Sequence, residues 1–581
     1  MKSPRSARLL AGAFAISVLF CSFSQAQMTV ERVIALNKTL QTVKATYNKL
    51  TPKQKKMVDG YAHLVQLANF WEKHGMSLTN PAIAERVRMK MLESKATAPS
   101  ALALSIPSIV PASNPASDVE FSSFGGFTQS ETTTARCGNS VVVGFNDSGS
   151  IFETPFFFTG TGGESLMGFA HSANGGASFT DGGPLNPGAT NGNFLASDPV
   201  VNCTDASTFY YSSIFDFADA NGNPFAAVSI NKSTDGGKTW SDPIAAAAKD
   251  GFTHLLDKPW STIDPSNHKR IFVSYTDFDA SGTVCGFDTF KNAIPRNAIE
   301  FVESDNGGNT WSAPHVAIQF CADPSTGSLV GVQGSQLAVN SKGILYISWV
   351  NLGPNFPFGA RTIQISNFRH HAVSAPVDAA AVVAGGDSFF LQGEFRDFLD
   401  MTMAVDRSGT SSDGVIYLAW ADGRDKIVPD PLGADGAYGF DDIFITQSFD
   451  GGNTWFGPFK VNSDFQSRLA NGADHYQVGI AVDNRGVVGA CWYDRRADRE
   501  NFAIRRHCGE SANNGVSFTD SDIGLAPFAP THGGDLFLIP DYMGDYDQLT
   551  TDFTNSNPGF IGGFQGMGTR GNPDALVHGF N

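Results

Sequence analysis

The sequence has few charged residues, a deficit of basic residues and no long apolar run beyond its N-terminal segment. Charged residues make up 17% of the 581 positions, and 40 Lys and Arg stand against 57 Asp and Glu, a formal net charge of −17. Proteins that bind nucleic acid or anionic membranes need a basic surface, so this balance argues against both partners. No later stretch reaches the ~20 apolar residues that cross a bilayer, so we expect no membrane span.

Cysteine is also scarce, and one of the seven residues, Cys21, lies in an N-terminal targeting segment. Basic residues within Lys2–Arg8 precede the apolar run Leu9–Phe20, and Ser24-Gln-Ala26 has the small residues of a cleavage site. We predict a signal peptide over residues 1–26 and a secreted or periplasmic protein. The six remaining Cys suit an oxidising compartment, although six allow fifteen pairings.

The N-terminal part of the mature chain differs in character from the rest. Residues 27–95 are predicted to be helical, because Pro follows a capping residue at Thr51 and Asn80 and apolar residues recur at helical spacing. The recurring residues are Met57, Tyr61, Leu64, Leu67 and Trp71. Twelve Lys and Arg against five Asp and Glu give residues 28–95 a net charge of +7, which leaves −27 on residues 96–581. Residues 96–118, rich in Ala, Ser and Pro, read as a linker.

A short motif recurs five times after residue 119, in a region whose many glycines favour a turn-rich β protein. Its pattern is Ser-x-Asp/Asn-x-Gly-x-Thr/Ser-Trp/Phe. The copies span Ser172–Phe179, Ser233–Trp240, Ser304–Trp311, Ser448–Trp455 and Ser511–Phe518. Each copy suits a hairpin turn, because the Asp or Asn accepts backbone N–H bonds and the Gly takes positive φ. The gap before the fourth copy spans two periods, and Thr362–Ser366 falls where a repeat without the motif should end its third strand.

These repeats resemble the Asp-box (BNR) repeats of sialidase-like β-propellers, and the resemblance covers residues 119–581. It implies an all-β propeller in which each box is a structural turn between the third and fourth strands of a blade, on the face away from the active site. Counting strands predicts seven blades, with six as the alternative because sialidases have six. We expect Val119–Phe124 to supply the outer strand of the last blade.

The predicted strands also suggest how the cysteines pair. Two of them fall at equivalent lower ends of the first two inner strands, two in loops around blade 3, and two on neighbouring strands of blade 6. The predicted pairs are Cys137–Cys203, Cys285–Cys321 and Cys491–Cys508.

Polar residues gather on the face opposite the boxes, where the loops before the inner strands and after the second strands meet. They include Glu131, Asp198, Asp257, Lys258, Asp400, Asp474, Asp541 and Asp545. Carboxylates, tyrosines and arginines around a funnel suit an acidic sugar, because Arg binds carboxylates in bidentate fashion. For Arg424 and Arg495 the alternative is an ion pair that joins neighbouring blades.

The resemblance implies a glycoside hydrolase that acts at this funnel on a glycan. We predict Tyr542 as the nucleophile and Asp257 as the acid/base, with three arginines holding an anionic group. The predicted substrate-binding residues are Arg396, Arg496, Arg570, Trp260, His475 and Tyr476. The alternative is a non-catalytic propeller that binds glycan or protein at the cell surface. We expect a monomer that needs no cofactor.

One loop has the spacing of a calcium site. Asp277, Asp279, Ser281 and Asp288 stand at positions 1, 3, 5 and 12, with Gly282 at position 6. A twelve-residue loop wraps Ca²⁺ with this spacing, so we predict a structural calcium site. A solvated acidic loop is the alternative.

Overall fold

The computed structural model describes residues 109–114, 119–121, 124–126, 128–154, 161–321, 331–353, 361–383, 390–391, 395–396, 401–429, 437–464, 472–530, 543–567 and 573–580. The predicted signal peptide, the helical region and most of the linker lie outside these residues. Within the described ranges no helix has the length and apolar character that a membrane crossing requires.

Seven sheets, antiparallel apart from one short parallel pair in blade 2, form the blades of a β-propeller, as the sequence predicts. The chain begins with β1 (Val110–Pro111), β2 (Val119–Phe121) and β3 (Phe124–Gly126). Blade 1 then has β4 (Gln129–Cys137), β5 (Ser140–Asp147), β7 (Met167–Ser172) and β8 (Thr180–Pro184), with a 3-10 turn at Ser150–Glu153. Blade 2 has β6 (Glu164–Ser165), β9 (Phe194–Leu195), β10 (Val200–Cys203), β11 (Phe209–Ala218), β12 (Pro224–Ser233) and β13 (Ile244–Asp250). Blade 3 has β14 (His254–Ile263), β15 (Ile271–Asp279), β16 (Arg296–Ser304) and β17 (His315–Cys321).

The second half of the chain repeats this arrangement. Blade 4 has β18 (Val332–Val339), β19 (Leu345–Asn351), β20 (Arg361–Arg369), β21 (Ala372–Val373) and β22 (Val377–Val382). Blade 5 has β25 (Thr402–Val405), β26 (Ile416–Asp422), β29 (Asp442–Ser448) and β30 (Phe456–Lys460). Two short ribbons lie before and within it in the chain: β23 (Phe390–Leu391) with β24 (Phe395–Arg396), and β27 (Ile427–Pro429) with β28 (Ala437–Gly439). Blade 6 has β31 (His475–Val482), β32 (Val488–Asp494), β33 (Arg505–Ser511) and β34 (Thr519–Asp522), and blade 7 has β35 (Leu549–Thr550), β36 (Phe560–Met567), β37 (Pro573–Phe580) and β1.

The last blade closes with a strand from the start of the propeller, but the predicted segment is wrong. Val110–Pro111 pairs with the third strand of blade 7, with Val110 opposite Val577. Val119–Phe121 instead forms a hairpin with Phe124–Gly126. Two residues of the stretch predicted to be a linker therefore supply the outer strand, because closure needs only a short segment that reaches the open sheet edge.

The five boxes are turns between the third and outer strands of blades 1, 2, 3, 5 and 6, as predicted. In the fourth copy the Ser448 hydroxyl donates to Asp450 and accepts the Gly452 N–H at 2.8 Å. The Asp450 carboxylate accepts the N–H and hydroxyl of Thr454 at 2.9 and 2.7 Å. The other four copies have the same Ser-to-Asp or Ser-to-Asn bond, so the motif satisfies its polar groups within one turn.

Apolar side chains between neighbouring blades form the core. Trp349, Trp420 and Trp492 occupy equivalent places on the second strands of blades 4, 5 and 6 and are buried. Each indole N–H donates to a polar side chain, Gln364, Asp422 or Asp494 respectively, at 3.0–3.1 Å. Buried indoles need such a partner, which the end of the second strand supplies in blades 5 and 6 and the third strand supplies in blade 4.

All three predicted disulfides are present. Cys137–Cys203 joins the inner strands of blades 1 and 2, and Cys285–Cys321 closes a loop of blade 3 onto its outer strand. Cys491–Cys508 joins directly opposite residues on the second and third strands of blade 6.

Candidate functional site

The inner strands begin on the face opposite the boxes, and most begin with a strained backbone. In six blades a residue with positive φ stands at the start of the inner strand: Glu131, Asp198, Lys258, Gly334, Gln477 and Gly544. Four of these six are not glycine, and their φ values are 50–61°. Bulges in the pairing accompany them in blades 1, 3, 4 and 6. We call this set the left-handed ring.

Side chains from four blades meet at this end of the channel. The Lys258 ammonium pairs with the Asp545 carboxylate and lies 3.9 Å from a Glu131 oxygen, while the Lys258 N–H donates to Asp198 at 3.1 Å. We call Glu131, Asp198, Asp257, Lys258 and Asp545 the axial cluster. Their exposed fractions are between 0% and 6%, so water is largely excluded from the charges.

Asn146 connects the Glu131 carboxylate of blade 1 to the Asp198 backbone of blade 2. Its Nδ2 donates to Glu131 Oε2 at 2.8 Å, and its Oδ1 accepts the Asp198 N–H at 3.1 Å. The Asp545 N–H donates to the other Glu131 oxygen at 3.0 Å. The Glu131 side chain is therefore held in one orientation from two sides.

Asp198 has the most unusual environment in the cluster. Its Oδ2 accepts the Lys258 N–H, but its buried Oδ1 has no hydrogen-bond partner. Burial raises the pKa of Asp198 well above its usual range, and the neighbouring Glu131 carboxylate raises it further, against the opposing effect of Lys258. The raised pKa favours the protonated form of Asp198, and in that form the carboxyl group can donate a proton.

Amide and aromatic side chains surround the cluster. Gln333 donates to Asp257 at 2.6 Å, and the Tyr546 hydroxyl donates to the Pro199 carbonyl at 2.9 Å. Trp260 meets the Tyr546 ring edge-on with centroids 5.6 Å apart. Below them the inner strands line a cavity of about 130 Å³ that includes Trp260. Of the cluster, Lys258 lines a smaller cavity of about 30 Å³ with Trp260 and Tyr546. The cluster lies buried at the end of the channel where the inner strands begin.

The predicted site residues divide between this cluster and other places. Asp257 belongs to the axial cluster, and Trp260 lines the channel beneath it. Tyr542 and Arg570 lie outside the described residues, and only the backbone of Arg396 is described.

His475, Tyr476 and Arg496 contact residues at the junction of blades 5 and 6 instead. His475 is fully buried with its Nδ1 2.8 Å from the Asp441 carbonyl, and Tyr476 is buried beneath the Arg495 guanidinium. Arg496 pairs with three carboxylates, those of Asp464, Asp494 and Asp520. Arg424 forms its ion pair with Asp422 of the same blade and reaches blade 4 through a hydrogen bond to the Ala381 carbonyl rather than through an ion pair.

The four residues of the predicted calcium loop make separate contacts. Asp277 pairs with Lys249, His254 and Arg296 at 2.7–2.9 Å. Asp279 accepts the Ser281 N–H at 2.7 Å, and Asp288 accepts bonds from its own turn. Calcium binding by this loop stays a prediction.

Two groups of side chains in the described ranges have the spacing to hold a metal ion. They are His254 with Asp277 and Asp279, and Asp442 with Asp464 and His475. In each group a carboxylate already pairs with lysine, Lys249 or Lys460, which supplies positive charge that a metal would otherwise bring.

The sequence predicts no role for four residues of the axial cluster, although all four lie on the predicted funnel face: Glu131, Asp198, Lys258 and Asp545. The signal that unites them is their position, because each lies just before or within the start of an inner strand. Residue type gave little indication, since Glu and Lys have no preference for left-handed backbone and Asp adopts it only occasionally.

No known family model and no curated protein match this chain. The chain is similar in fold to a Dyadobacter fermentans protein of unknown function, with 10% identity over 67% of this chain and 98% of that chain and a TM-score of 0.38. It is also similar to a Penicillium chrysogenum alpha-L-arabinanase complexed with arabinobiose, with 8% identity over 82% and 99% of the two chains and a TM-score of 0.41. A Trypanosoma rangeli sialidase matches with 11% identity over 66% and 53% of the two chains and a TM-score of 0.35.

Proposed function

We propose that this protein is a glycan-acting enzyme whose reaction takes place at the axial cluster. The observation that carries the proposal is the left-handed ring. A side chain in left-handed backbone costs roughly 1–2 kcal/mol, and glycine would avoid that cost. Glu131, Asp198, Lys258 and Gln477 nevertheless occupy these positions. Backbone strain at equivalent positions around one channel is expected where function requires those side chains.

The cluster offers the groups that glycoside hydrolysis requires. In this proposal Asp198 donates the proton from Oδ1 to the glycosidic oxygen, which leaves with the electron pair of the breaking C–O bond. Tyr542 stays the predicted nucleophile, and in this proposal Asp257 assists it or activates water. The acid role predicted for Asp257 passes to Asp198, because Asp257 accepts a hydrogen bond from Gln333 while Asp198 Oδ1 has no partner.

The preference for an acidic sugar depends on two arginines. Arg496 is held by three carboxylates, so it contributes little to binding an anionic group. The binding of an anionic group is therefore proposed for Arg396 and Arg570. Trp260 and Tyr546 supply the aromatic surface on which a sugar ring can pack.

A non-catalytic binding propeller is the second candidate. The deep burial of the axial cluster favours it, since Glu131, Lys258 and Asp545 also connect blades 1, 3 and 7. In that case the cluster stabilises the closed ring, and ligands bind at the rim.

The test is an assay of the full chain on a panel of neutral and acidic oligosaccharides, with both product release and binding measured. The parent should release product from at least one glycan, and Asp198→Asn should lower that rate by about 10²–10⁴-fold while binding persists. Asp422→Asn is the matched control, because Asp422 is equally buried but bonds to Trp420 and Arg424 outside the cluster. Binding without release by the parent would support the second candidate, and neither binding nor release would overturn both.

A further inference from the structure

The start of the propeller leaves the molecule on the box face. The third strand of blade 7 runs toward that face, as third strands do in the blades that have boxes, and Val110–Pro111 pairs with it in antiparallel fashion. The residues before Val110 therefore emerge on the box face. Ile109 already packs there against the apolar cluster that contains Phe560 and Phe580.

A cavity opens beside this exit point. It has a volume of about 500 Å³ and lies between blades 7 and 1, lined by Arg136, Pro558, Phe560, Ile561 and Phe580 among others. Cavities of about 300–1,000 Å³ accommodate ligands of several rings or a few bulky side chains. The cavity is therefore large enough for apolar side chains from a docked segment.

We propose that the basic N-terminal segment of this same chain docks there and inserts the apolar stripe of residues 57–71 into the cavity. The stripe, Met57, Tyr61, Leu64, Leu67 and Trp71, has the spacing of one helix face. A single amphipathic helix is marginal in water and needs a partner for its apolar face.

Charge and tether length favour this segment over a separate protein. Residues 28–95 carry +7, whereas residues 96–581 carry −27. Thirteen linker residues, 96–108, separate the predicted helical region from Ile109, and a flexible stretch of that length spans about 20 Å on average. The tether keeps the stripe at a high effective concentration near the cavity, so even a weak contact is populated.

The test uses the full chain with a photo-crosslinking phenylalanine analogue in place of Phe580. Mass mapping should find crosslinks within one chain to residues 57–71. Substituting both Leu67 and Trp71 with Ala should lower their yield at least about tenfold, since two buried apolar side chains are lost. The same analogue at Phe456, which is 52% exposed on blade 5 near a box, is the control and should give no such crosslinks.

Each other outcome overturns the proposal. Crosslinks to residues 96–108 would mean that the linker fills the cavity, and crosslinks between chains would assign it to a second copy. Crosslinks to no protein segment would leave the cavity as a solvent-filled groove. Because the substitutions in the stripe lie outside the propeller, loss of the propeller fold does not confuse the result.

Discussion

The box turns and the axial cluster lie at opposite ends of the blades and handle polar groups in opposite ways. In a box, hydrogen bonds join residues two to four apart, as between Ser448 and Gly452. In the axial cluster, contacts join residues hundreds apart, as between Lys258 and Asp545. The box satisfies its Ser and its Asp or Asn side chain within one turn, in which glycine takes most of the left-handed positions. The cluster instead gathers buried charges on non-glycine residues in left-handed backbone. Local polar turns build the fold, and the costly non-local cluster is where function is expected.

The largest effect is expected from a substitution that relieves the backbone strain at the axial cluster. Asp198→Gly removes a side chain whose Oδ1 has no partner and places glycine at φ 61°. We expect catalytic turnover to fall by about 10²–10⁴-fold, because the proton donor is lost. Stability should be unchanged or higher, because strain and a buried carboxyl are removed together. Activity assays with thermal melts check both, and a large fall in melting temperature would identify Asp198 as structural.

Two of the disulfides allow the stabilisation from a link between two blades to be compared with that from a link within one blade. Cys137–Cys203 closes a loop with a sequence separation of 66, and Cys491–Cys508 one of 17. Chain-entropy arguments give about 4 kcal/mol for the longer loop and about 3 kcal/mol for the shorter. Replacing both cysteines of each pair with Ala and measuring denaturant unfolding should give the larger loss for Cys137–Cys203. The opposite order would mean that the blade 1–2 junction is held mainly by packing.

A box that contains Asp should make the melting temperature depend on acid pH, and a box that contains Asn should not. Hydrogen bonds from the Thr454 hydroxyl and N–H lower the pKa of Asp450 to about 2. A depressed pKa means that the carboxylate stabilises the fold above its usual pKa near 4 and loses that contribution as the pH falls toward 2. Asp450→Asn should therefore lower the melting temperature slightly at pH 5 and less at pH 2.5, by at most about 2 °C.

The third box supplies the reciprocal test. Asn306 occupies the Asp450 position and accepts the Thr310 N–H at 3.0 Å. Asn306→Asp should introduce the acid sensitivity that Asp450→Asn removes. If neither substitution changes the acid dependence, the carboxylate of the box makes no net contribution beyond that of the amide.

The two regions also differ in how far the sequence predicts them. Box turns follow from local residue types, since Asp or Asn, Gly and an aromatic residue at fixed offsets dictate one turn. The disulfide pairs follow from the places that the repeat pattern gives the cysteines in the blades. The closing strand was misplaced because Val110–Pro111 is too short to show a strand pattern. The left-handed ring was not predicted, because it depends on strand pairing and on contacts between blades. Bulges accompany it at Glu131 and Lys258, and Asn146 of blade 1 accepts the N–H of Asp198. Contacts between blades, rather than local preference, determine that conformation.

The smallest effect concerns the one blade among the first six that has no box. In blade 4 the third strand ends in a two-residue turn, with Arg369 paired to Ala372 across it. Both turn residues are left-handed, His370 at φ 50° and His371 at φ 59°, as such hairpin turns require. Because His370 is exposed, His370→Gly should remove strain without losing packing and raise the free energy of unfolding by at most about 1 kcal/mol. Activity should not change, in contrast to Asp198→Gly. Denaturant unfolding measures the difference, and a loss of stability would mean that the His370 side chain contributes more than its backbone costs.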